Sequence, residues 1–173
     1  MIILVRHGET ALNAARVVQP ADTPLSGRGL AQAELLAVRL QGLGVARILA
    51  SDMPRARMTA AAVERLTGVA AEETRLLHER NLGVHRGTPY AELTHNIFAQ
   101  DYEPPEGESW AAFDARVGDA WRLMLERARD LSGNLVVVTH GLVCRSLAQQ
   151  FLSLPVGTAP DRFGNTSQPA RGK

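Results

Sequence analysis

The sequence predicts an α/β fold in which helices flank a mostly parallel sheet on both faces, a three-layer α/β/α sandwich. Two largely apolar runs, Ile2–Val5 and Leu135–Thr139, are rich in β-branched residues and lack polar alternation, which is typical of strands buried on both faces. Each run is followed by a His-Gly pair, at His7 and at His140. Because ligands bind at the carboxyl ends of the strands in open α/β sheets, we expect the two strands to be adjacent and the histidines to meet.

The segments between these strands show the spacing of amphipathic helices. Ser26 is the predicted N-cap of a helix that runs to about Leu40, and Pro54 fits the first turn of the next helix. Ser109 is a natural N-cap for a third helix, and a fourth is predicted for about 142–152. The core stripe of the third helix consists of Phe113, Val117, Ala120, Met124, Ala128 and Leu131.

Shorter elements complete the prediction. Arg47–Ser51 is predicted as a strand, and Glu72–Leu77 as another short strand. Residues 11–16 form either a turn of helix or an ordered loop, and a short helix is predicted around Tyr90–Leu93 within the otherwise loop-like segment Thr88–Pro105.

Length and composition predict a single soluble domain over residues 1–173. The chain has 173 residues, of which 45% are hydrophobic and 21% are charged, and its net charge is +1. This charge balance favours neither a nucleic acid nor a membrane as a partner. Arginine supplies nearly all of the positive charge, since Lys173 is the sole lysine among 19 basic residues.

The remaining general features favour a cytoplasmic protein. Cys144 is the single cysteine, which excludes an internal disulfide, and its apolar neighbours predict a packed thiol. No apolar run reaches membrane-spanning length. The amino terminus enters the first strand at once, so we expect no signal peptide.

The residue types after the strands suit the binding of an oxyanion. The guanidinium of Arg6 can hold two oxygens at once, and His7 can act as a nucleophile, as an acid or base, or as a ligand. Arg55 lies in the first turn of a predicted helix, where it repels the helix dipole unless an anion sits between them. Asn13 could donate its amide to a bound anion or could act as a capping residue.

Several blocks of the chain resemble the histidine phosphatase superfamily, which includes the cofactor-dependent phosphoglycerate mutases. The signature block is Arg6-His7-Gly8-Glu9-Thr10, and the others follow in order up to residue 167. They are the helix-opening block 22–33, the Ser-x-x-x-Arg-Ala-x-x-Thr-Ala block 51–60, Leu77-x-Glu79, Gly107-Glu108-Ser109, His140-Gly141 and Asn165-x-Ser167. This resemblance implies a phosphoglycerate mutase-like fold.

The resemblance also implies roles for individual residues. His7 would be the nucleophile that forms a phosphohistidine, with its second ring nitrogen held by an acceptor such as a backbone carbonyl. Glu79 would be the general acid and base, with its pKa raised by the phosphate oxygens. Arg6, Arg55 and a protonated His140 would neutralise the phosphoryl group, assisted by Asn13. The family's phosphate-binding arginine falls on Arg55, and Arg57 is interpreted as solvated or salt-bridged.

Two regions depart from the family pattern. An aromatic-Glu-Gly step is common in the family where this chain has His85-Arg86-Gly87. The spacing of His78 and His85 does not favour a metal site, and neither matches a family catalytic position.

The composition of residues 164–173 predicts a disordered tail, so the family's last strand is missing or very short. Either the fold tolerates a short edge or a partner covers it, and a homodimer is the assembly considered.

The expected function is hydrolysis of a small phosphomonoester without a metal or other cofactor, through a phosphohistidine. Family mutases are longer and close over the site, for which the short segment Thr88–Pro105 leaves little room. The alternatives are phosphoryl transfer of the phosphoglycerate mutase type and a non-catalytic module that binds phosphorylated ligands. A protein phosphohistidine phosphatase is a further hydrolase alternative, although such members usually lack an acid equivalent to Glu79.

Overall fold

Four parallel strands form one sheet in the computed structural model, which describes residues 1–152. They are β1 (Ile2–Arg6), β2 (Val45–Ala50), β3 (Ala71–Glu73) and β4 (Asn134–Thr139). Their spatial order is β1-β4-β2-β3, and β1 pairs with β4 in the register Ile2 to Leu135 and Arg6 to Thr139. The predicted adjacency of the two buried strands is therefore confirmed. In the described part of the chain β4 is central, whereas β1 lies at the edge of the sheet.

Five α-helices accompany this sheet in the described residues. They are α1 (Ala11–Ala14), α2 (Gly27–Gln41), α3 (Pro54–Thr67), α4 (Trp110–Ala128) and α5 (Gly141–Phe151). Short 3₁₀ helices span Arg75–Leu77, Gly83–His85 and Tyr90–Glu92. The main helices thus begin and end within a few residues of the positions that the caps and apolar stripes predict.

Alternate residues of the strands contribute to two separate hydrophobic cores. Val136 and Val138 of β4 pack with α2 and α3 on one face of the sheet. Leu135 and Val137 of the same strand pack with α4 and α5 on the other face. Because successive side chains of a strand point to opposite faces, this partition produces the predicted three-layer sandwich.

The prediction of a strand at Glu72–Leu77 is correct only for the first part of that segment. β3 ends at Glu73, and a 3₁₀ turn follows at Arg75–Leu77. The side chain of Thr74 accepts a hydrogen bond from the backbone N–H of Leu76, which favours a turn over an extended ladder. The turn leaves Leu77 only 1% exposed in the core beneath α4.

Residues between the 3₁₀ turns and α4 are fastened to the rest of the molecule by one buried arginine. Arg80 donates hydrogen bonds to the carbonyl oxygens of Ile97, Tyr102 and Glu108, at 3.1, 2.8 and 2.9 Å. Its guanidinium also lies over the ring of Trp110, 4.0 Å from the ring centroid. The loop that precedes α4 is thereby held in a defined position above the carboxyl edge of the sheet.

The predictions for the tail at 164–173, and for the family's last strand, lie outside the described residues. The single domain over 1–173 and the homodimer therefore stay predictions. Among residues 1–152, none of the helices combines the length and the apolar character needed to cross a membrane.

Candidate active site

The two histidines predicted to meet lie beside each other at the carboxyl ends of β1 and β4. The backbone N–H of His7 donates to the carbonyl oxygen of Thr139 at 3.0 Å, which extends the strand pairing by one residue. The centroids of the His7 and His140 rings are 5.1 Å apart in an edge-to-face arrangement. Parallel pairing in the observed register is sufficient to produce this contact, because both histidines directly follow their strands.

A cavity of about 240 Å³ opens at this edge of the sheet. Five of the six predicted site residues line it, namely Arg6, His7, Asn13, Arg55 and Glu79. His140 does not line the cavity in this structure, since its side chain is fully buried, although the next two residues, Gly141 and Leu142, do. The predicted residues thus come together from four separate segments of the chain, one after each strand, with His140 packed against the edge of the His7 ring.

The surroundings of His7 keep its imidazole neutral. Burial and the nearby charge of Arg55, with a smaller contribution from Arg6, lower the pKa of His7 to about 3. The carbonyl oxygen of Gly8 lies 2.7 Å from Nδ1, which opposes the shift and assigns the ring proton to Nδ1. Nε2 therefore carries a free lone pair, which is the form required of a nucleophile.

The protonation state of His140 depends on its surroundings. Burial is the main cause that lowers its pKa well below the usual range, and Arg55 and His7 add to the effect. The imidazole of His140 is therefore neutral in the protein without a ligand, and its protonation beside a bound phosphoryl group stays a prediction. Its Nε2 lies 2.9 Å from the hydroxyl oxygen of Ser51, and its Nδ1 has no hydrogen-bond partner in the described structure. A bound phosphoryl dianion would favour protonation of the ring by charge attraction.

Arg55 is held in place by backbone oxygens. Its side chain is 2% exposed and donates to the carbonyl oxygens of Pro20 and Ala21, both at 3.2 Å. Its Nε is buried without a partner in the described structure. Burial lowers the pKa of Arg55 while Glu79 raises it, yet the guanidinium stays charged because an arginine does not lose its proton in a protein. The loop at 20–21 thus positions a buried cation whose carbonyl contacts do not neutralise it.

The neighbouring Arg57 has a different role, as its sequence position predicts. Its guanidinium forms salt bridges with Glu64 and Glu73, at 3.6 and 2.8 Å. These carboxylates occupy Arg57 on the outer side of α3, so the interpretation of Arg57 as a salt-bridged residue is confirmed.

Glu79 is positioned by two backbone N–H groups. Its Oε1 accepts from the N–H of Arg80 at 3.1 Å, and its Oε2 accepts from the N–H of Leu142 in the first turn of α5 at 3.2 Å. Burial raises the pKa of Glu79, although both hydrogen bonds and the charge of Arg55 oppose this shift. The carboxyl is therefore more readily protonated than an exposed glutamate even before any phosphate binds.

Asn13 takes part in a local capping arrangement as well as lining the cavity. Its backbone N–H donates to the hydroxyl of Thr10 at 3.0 Å, and its Oδ1 accepts from the backbone N–H of Thr10 at 3.4 Å. This is the reciprocal pattern of a capping box. The interpretation of Asn13 as a capping residue is therefore confirmed, whereas donation of its amide to an anion stays a prediction.

Two polar residues, Ser51 and Thr59, form hydrogen bonds between segments of the site. The sequence analysis assigned no role in the site to either of them. Ser51 contacts His140 and also accepts a hydrogen bond from the backbone N–H of Met53. Thr59 accepts from the backbone N–H of Gly8 at 3.1 Å and donates to the carbonyl oxygen of Arg55 at 2.8 Å. Both residues lie in the block Ser-x-x-x-Arg-Ala-x-x-Thr-Ala. That pattern marked the two positions in the sequence, but it did not indicate that Ser51 contacts His140 or that Thr59 contacts Gly8.

The other candidates have local partners. His78 pairs with Asp52, and His85 lies 2.7 Å from the hydroxyl of Tyr102. Within residues 1–152 no group of three or more His, Cys, Asp or Glu side chains is arranged to hold a metal ion. Burial raises the pKa of the Cys144 thiol to about 12, as suits a packed thiol.

Comparison with known proteins gives consistent relatives. "Probable phosphoglycerate mutase GpmB" of Escherichia coli (strain K12 / DH10B) is 36% identical over 166 residues, which cover 89% of this chain and 75% of that protein. Its counterpart in Shigella boydii serotype 18 is 35% identical over 170 residues, covering 91% of this chain and 77% of that protein.

Solved structures show the same fold. A mycobacterial glucosyl-3-phosphoglycerate phosphatase in complex with VO3 superposes with a TM-score of 0.80 at 28% identity, over 90% of this chain and 81% of that one. A phosphoglycerate mutase of Bacillus anthracis superposes with a TM-score of 0.74 at 26% identity, over 92% and 84% of the two chains. Both phosphatases and mutases thus occur among the similar structures.

A family model supports the same assignment along nearly the whole sequence. The model of the histidine phosphatase superfamily (branch 1) matches residues 2–168. Together with two adjacent histidines and a cavity lined by arginines and a glutamate, this match identifies the chain as a member of the histidine phosphatase superfamily.

Proposed function

We propose that this protein hydrolyses a small phosphomonoester without a metal ion, through a phosphohistidine at His7. The observation that carries the proposal is the state of His7, a neutral imidazole with Nδ1 held by the carbonyl of Gly8 and Nε2 left as the free nucleophile. A buried imidazole that served only as packing would have no need of a cavity lined with arginines.

In the first step of the proposed reaction, Nε2 of His7 attacks the phosphorus atom while the bond from phosphorus to the ester oxygen breaks. Arg6 and Arg55 neutralise the charge that spreads over the phosphoryl oxygens, and this supports chemistry without a divalent cation. Glu79 transfers its carboxyl proton to the departing ester oxygen, which leaves as the alcohol. The raised pKa of Glu79 favours the protonated form that this step needs.

In the second step, water attacks phosphorus and the bond from phosphorus to Nε2 breaks. The Glu79 carboxylate formed in the first step accepts a proton from that water, so the carboxyl is restored. Inorganic phosphate leaves, and His7 returns to its neutral form with the Nδ1 proton in place throughout. The dianion favours protonation of His140, whose charge then adds to those of Arg6 and Arg55.

Hydrolysis is favoured over mutase chemistry because, among residues 1–152, the segment above the cavity is short. Residues 88–105 contribute one 3₁₀ turn at Tyr90–Glu92, and the rest of the segment is irregular. Arg80 ties this segment down through its carbonyl contacts. A mutase must retain the released monophosphate and exclude water, and a short, fastened segment offers no extended cover for that purpose.

Phosphoglycerate mutase activity is the second candidate because relatives more than a third identical carry that name. It would be supported by formation of 2-phosphoglycerate from 3-phosphoglycerate in the presence of 2,3-bisphosphoglycerate, faster than the release of inorganic phosphate. A protein that binds phosphorylated ligands without turnover is less well supported, since such a protein would not need the acid at Glu79.

The test is release of inorganic phosphate from a panel of phosphomonoesters, with a chelator present and no added metal. We expect turnover by the wild-type protein and none by His7→Ala, together with transfer of a phosphorus label from substrate to the wild-type protein alone. His95→Ala, which removes an exposed histidine, is the matched control and should remain active. Retained turnover in His7→Ala would refute the proposed mechanism.

A further inference from the structure

We infer that Ser51 is a positioning residue, which donates its hydroxyl proton to Nε2 of His140 and thereby keeps the ring proton of His140 on Nδ1. The Nδ1–H group is then a hydrogen-bond donor for an oxygen of the phosphoryl group. The inference rests on the proposed function, because it concerns the same phosphoryl group, and it gives a part in the reaction to a residue that had none.

The hydroxyl group of Ser51 is held in place by backbone groups. Ser51 directly follows β2, and its N–H donates to the carbonyl oxygen of Val138 in β4 at 3.0 Å. Its Oγ accepts a hydrogen bond from the N–H of Met53 at 3.3 Å, just before α3 begins. Ser51 is fully buried, and buried hydroxyl groups find their partners within the protein. The partner that remains for its proton is His140.

The direction of the hydrogen bond between Ser51 and His140 follows from counting donors and acceptors. Oγ and Nε2 are 2.9 Å apart, and a neutral imidazole has one donor and one acceptor nitrogen. If Nε2 carried the proton, the Ser51 hydroxyl proton and the Nδ1 lone pair would both be buried without partners among residues 1–152. If Ser51 donates to Nε2, Nδ1–H alone is unmatched. The second arrangement is favoured, because each unmatched buried group costs free energy.

The start of α5 gives independent support for a proton on Nδ1. His140 is the N-cap residue of α5, where a side-chain acceptor commonly receives a backbone N–H from the first turn. In the described structure the His140 side chain accepts no such bond, and the N–H of Leu142 donates to Oε2 of Glu79 instead. A nitrogen that carries a proton has no lone pair to offer, which agrees with this arrangement.

A proton on Nδ1 suits a ligand that has oxygen acceptors. The centroids of the His140 and His7 rings are 5.1 Å apart, so a phosphoryl group on Nε2 of His7 brings its oxygens close to His140. Nδ1–H can therefore donate to the ligand while the ring is still neutral. When the dianion brings a second proton to Nε2, Oγ of Ser51 can accept from it, because a hydroxyl has two lone pairs. Nδ1–H stays in place in both states.

The test determines the tautomer of His140 by nitrogen NMR on protein with isotopically labelled histidine, without ligand and at neutral pH. The protonated and the free nitrogen of a neutral ring resonate far apart, so the spectrum shows which nitrogen carries the proton. The chain has five histidines, and the signals of His140 are identified by their loss in His140→Gln.

We expect the proton of His140 on Nδ1 in the wild-type protein. Ser51→Ala removes the donor to Nε2, so His140 should then show the opposite tautomer or an average of the two. In the same variant kcat/KM for the best substrate of the panel should fall about tenfold to hundredfold, as suits the loss of one oriented hydrogen bond to a charged group.

Ser146→Ala is the matched control for the loss of a buried serine hydroxyl. Ser146 lies on α5, which begins directly after His140, and its hydroxyl donates to Asp114 at 2.7 Å. This variant should keep both the wild-type spectrum of His140 and the wild-type kcat/KM.

A proton on Nε2 in the wild-type protein would overturn the inference, and that spectrum needs no variant. An unchanged tautomer in Ser51→Ala would overturn it as well. Inorganic phosphate, with its binding to the wild-type protein measured by calorimetry, should shift the Nδ1 signal of His140, and an unchanged signal with phosphate bound would contradict the contact. Failure of the proposed function has a separate sign, namely no release of phosphate from any phosphomonoester, because the tautomer is measured without turnover.

Discussion

Burial is the main cause of the pKa shifts of His7, His140 and Glu79 in the site. His7 and His140 both lose the tendency to bind a proton, because the protein around them removes water and places Arg55 nearby. The same removal of water acts in the opposite direction on Glu79, since a carboxyl is charged when it has lost its proton. Transfer of a phosphoryl group to nitrogen requires a neutral nucleophile and an acid that can give up a proton, and burial favours both forms here.

The role of Glu79 as an acid predicts a dependence on the leaving group. Glu79→Gln should lower kcat/KM for glycerol 3-phosphate by about 10²- to 10⁴-fold, because an alkoxide needs a proton as it leaves. The loss should be far smaller for p-nitrophenyl phosphate, whose phenolate leaves without one. Steady-state kinetics on both substrates measure the difference, with Glu34→Gln on the exposed side of α2 as the control. Equal losses on the two substrates would show that Glu79 is not the acid.

At the scale of elements, the site depends on the close approach of the loop after β1 to the start of α2. Ser26 caps α2 by accepting from the N–H of Gly29 at 3.0 Å, and its own N–H donates to the carbonyl of Glu9 at 2.9 Å. A Cβ on Gly29 would lie 1.9 Å from that same carbonyl oxygen. The backbone at the start of α2 therefore packs directly against the backbone of the loop after β1. This contact holds Gly8 and His7 in a fixed position relative to α2.

This contact predicts different effects for two glycines in one helical turn. Gly29→Ala should destabilise the protein by about 1–3 kcal/mol, since backbone must move to admit the methyl group, and it should also lower kcat/KM. Gly27→Ala is the matched control, because a Cβ there meets nothing within 4 Å. That variant should be neutral or stabilised by up to about 1 kcal/mol. Urea unfolding measures both, and similar free energies of unfolding for the two variants would contradict the packing argument.

At the scale of the whole molecule, all four described strands deliver residues to one edge. His7 follows β1, Ser51 and Arg55 follow β2, Glu79 follows β3 and its 3₁₀ turn, and His140 follows β4. Parallel strands share the direction of their carboxyl ends, so residues distant in the chain converge without any special loop. The cost of this arrangement is the burial of titratable groups, which connects the stability of the fold to pH.

The buried state of His7 predicts a loss of stability in acid. In the unfolded chain His7 has a pKa near 6.5, whereas the folded value is about 3. As pH falls through this window, the unfolded state binds a proton that the folded state does not, so stability falls. Glu79 acts with the opposite sign, because its raised pKa lets the folded state keep a proton that the unfolded state has lost.

Replacing His7 isolates its share of this pH dependence. Between about pH 7 and pH 5 the free energy of unfolding should fall by roughly 2 kcal/mol more in the wild-type protein than in His7→Gln, at about 1.4 kcal/mol per pKa unit. Urea unfolding at the two pH values measures the difference, and His95→Gln controls for the loss of one histidine. The same pH dependence in wild type and His7→Gln would mean that His7 is not buried in its neutral form.

Much of this protein could be determined from its sequence alone. The β-branched runs predicted the two buried strands, and their shared His-Gly endings predicted that His7 and His140 would meet, since parallel neighbours end at one edge. Local spacing and capping residues predicted the main helices, because these signals act within a few residues. The resemblance of block 51–60 to the family separated Arg55 from Arg57, and Arg57 is indeed salt-bridged.

Only the tertiary structure decided features that depend on groups far apart in the chain. Protonation is one of them, since the neutral state of His140 follows from burial and from Arg55, which no local pattern reports. The short β3 is another, because the burial of Leu77 under α4 competes with strand pairing. The pairing of segments 16–18 and 87–90 is the third, since it joins the backbones of two loops that lie far apart in the chain.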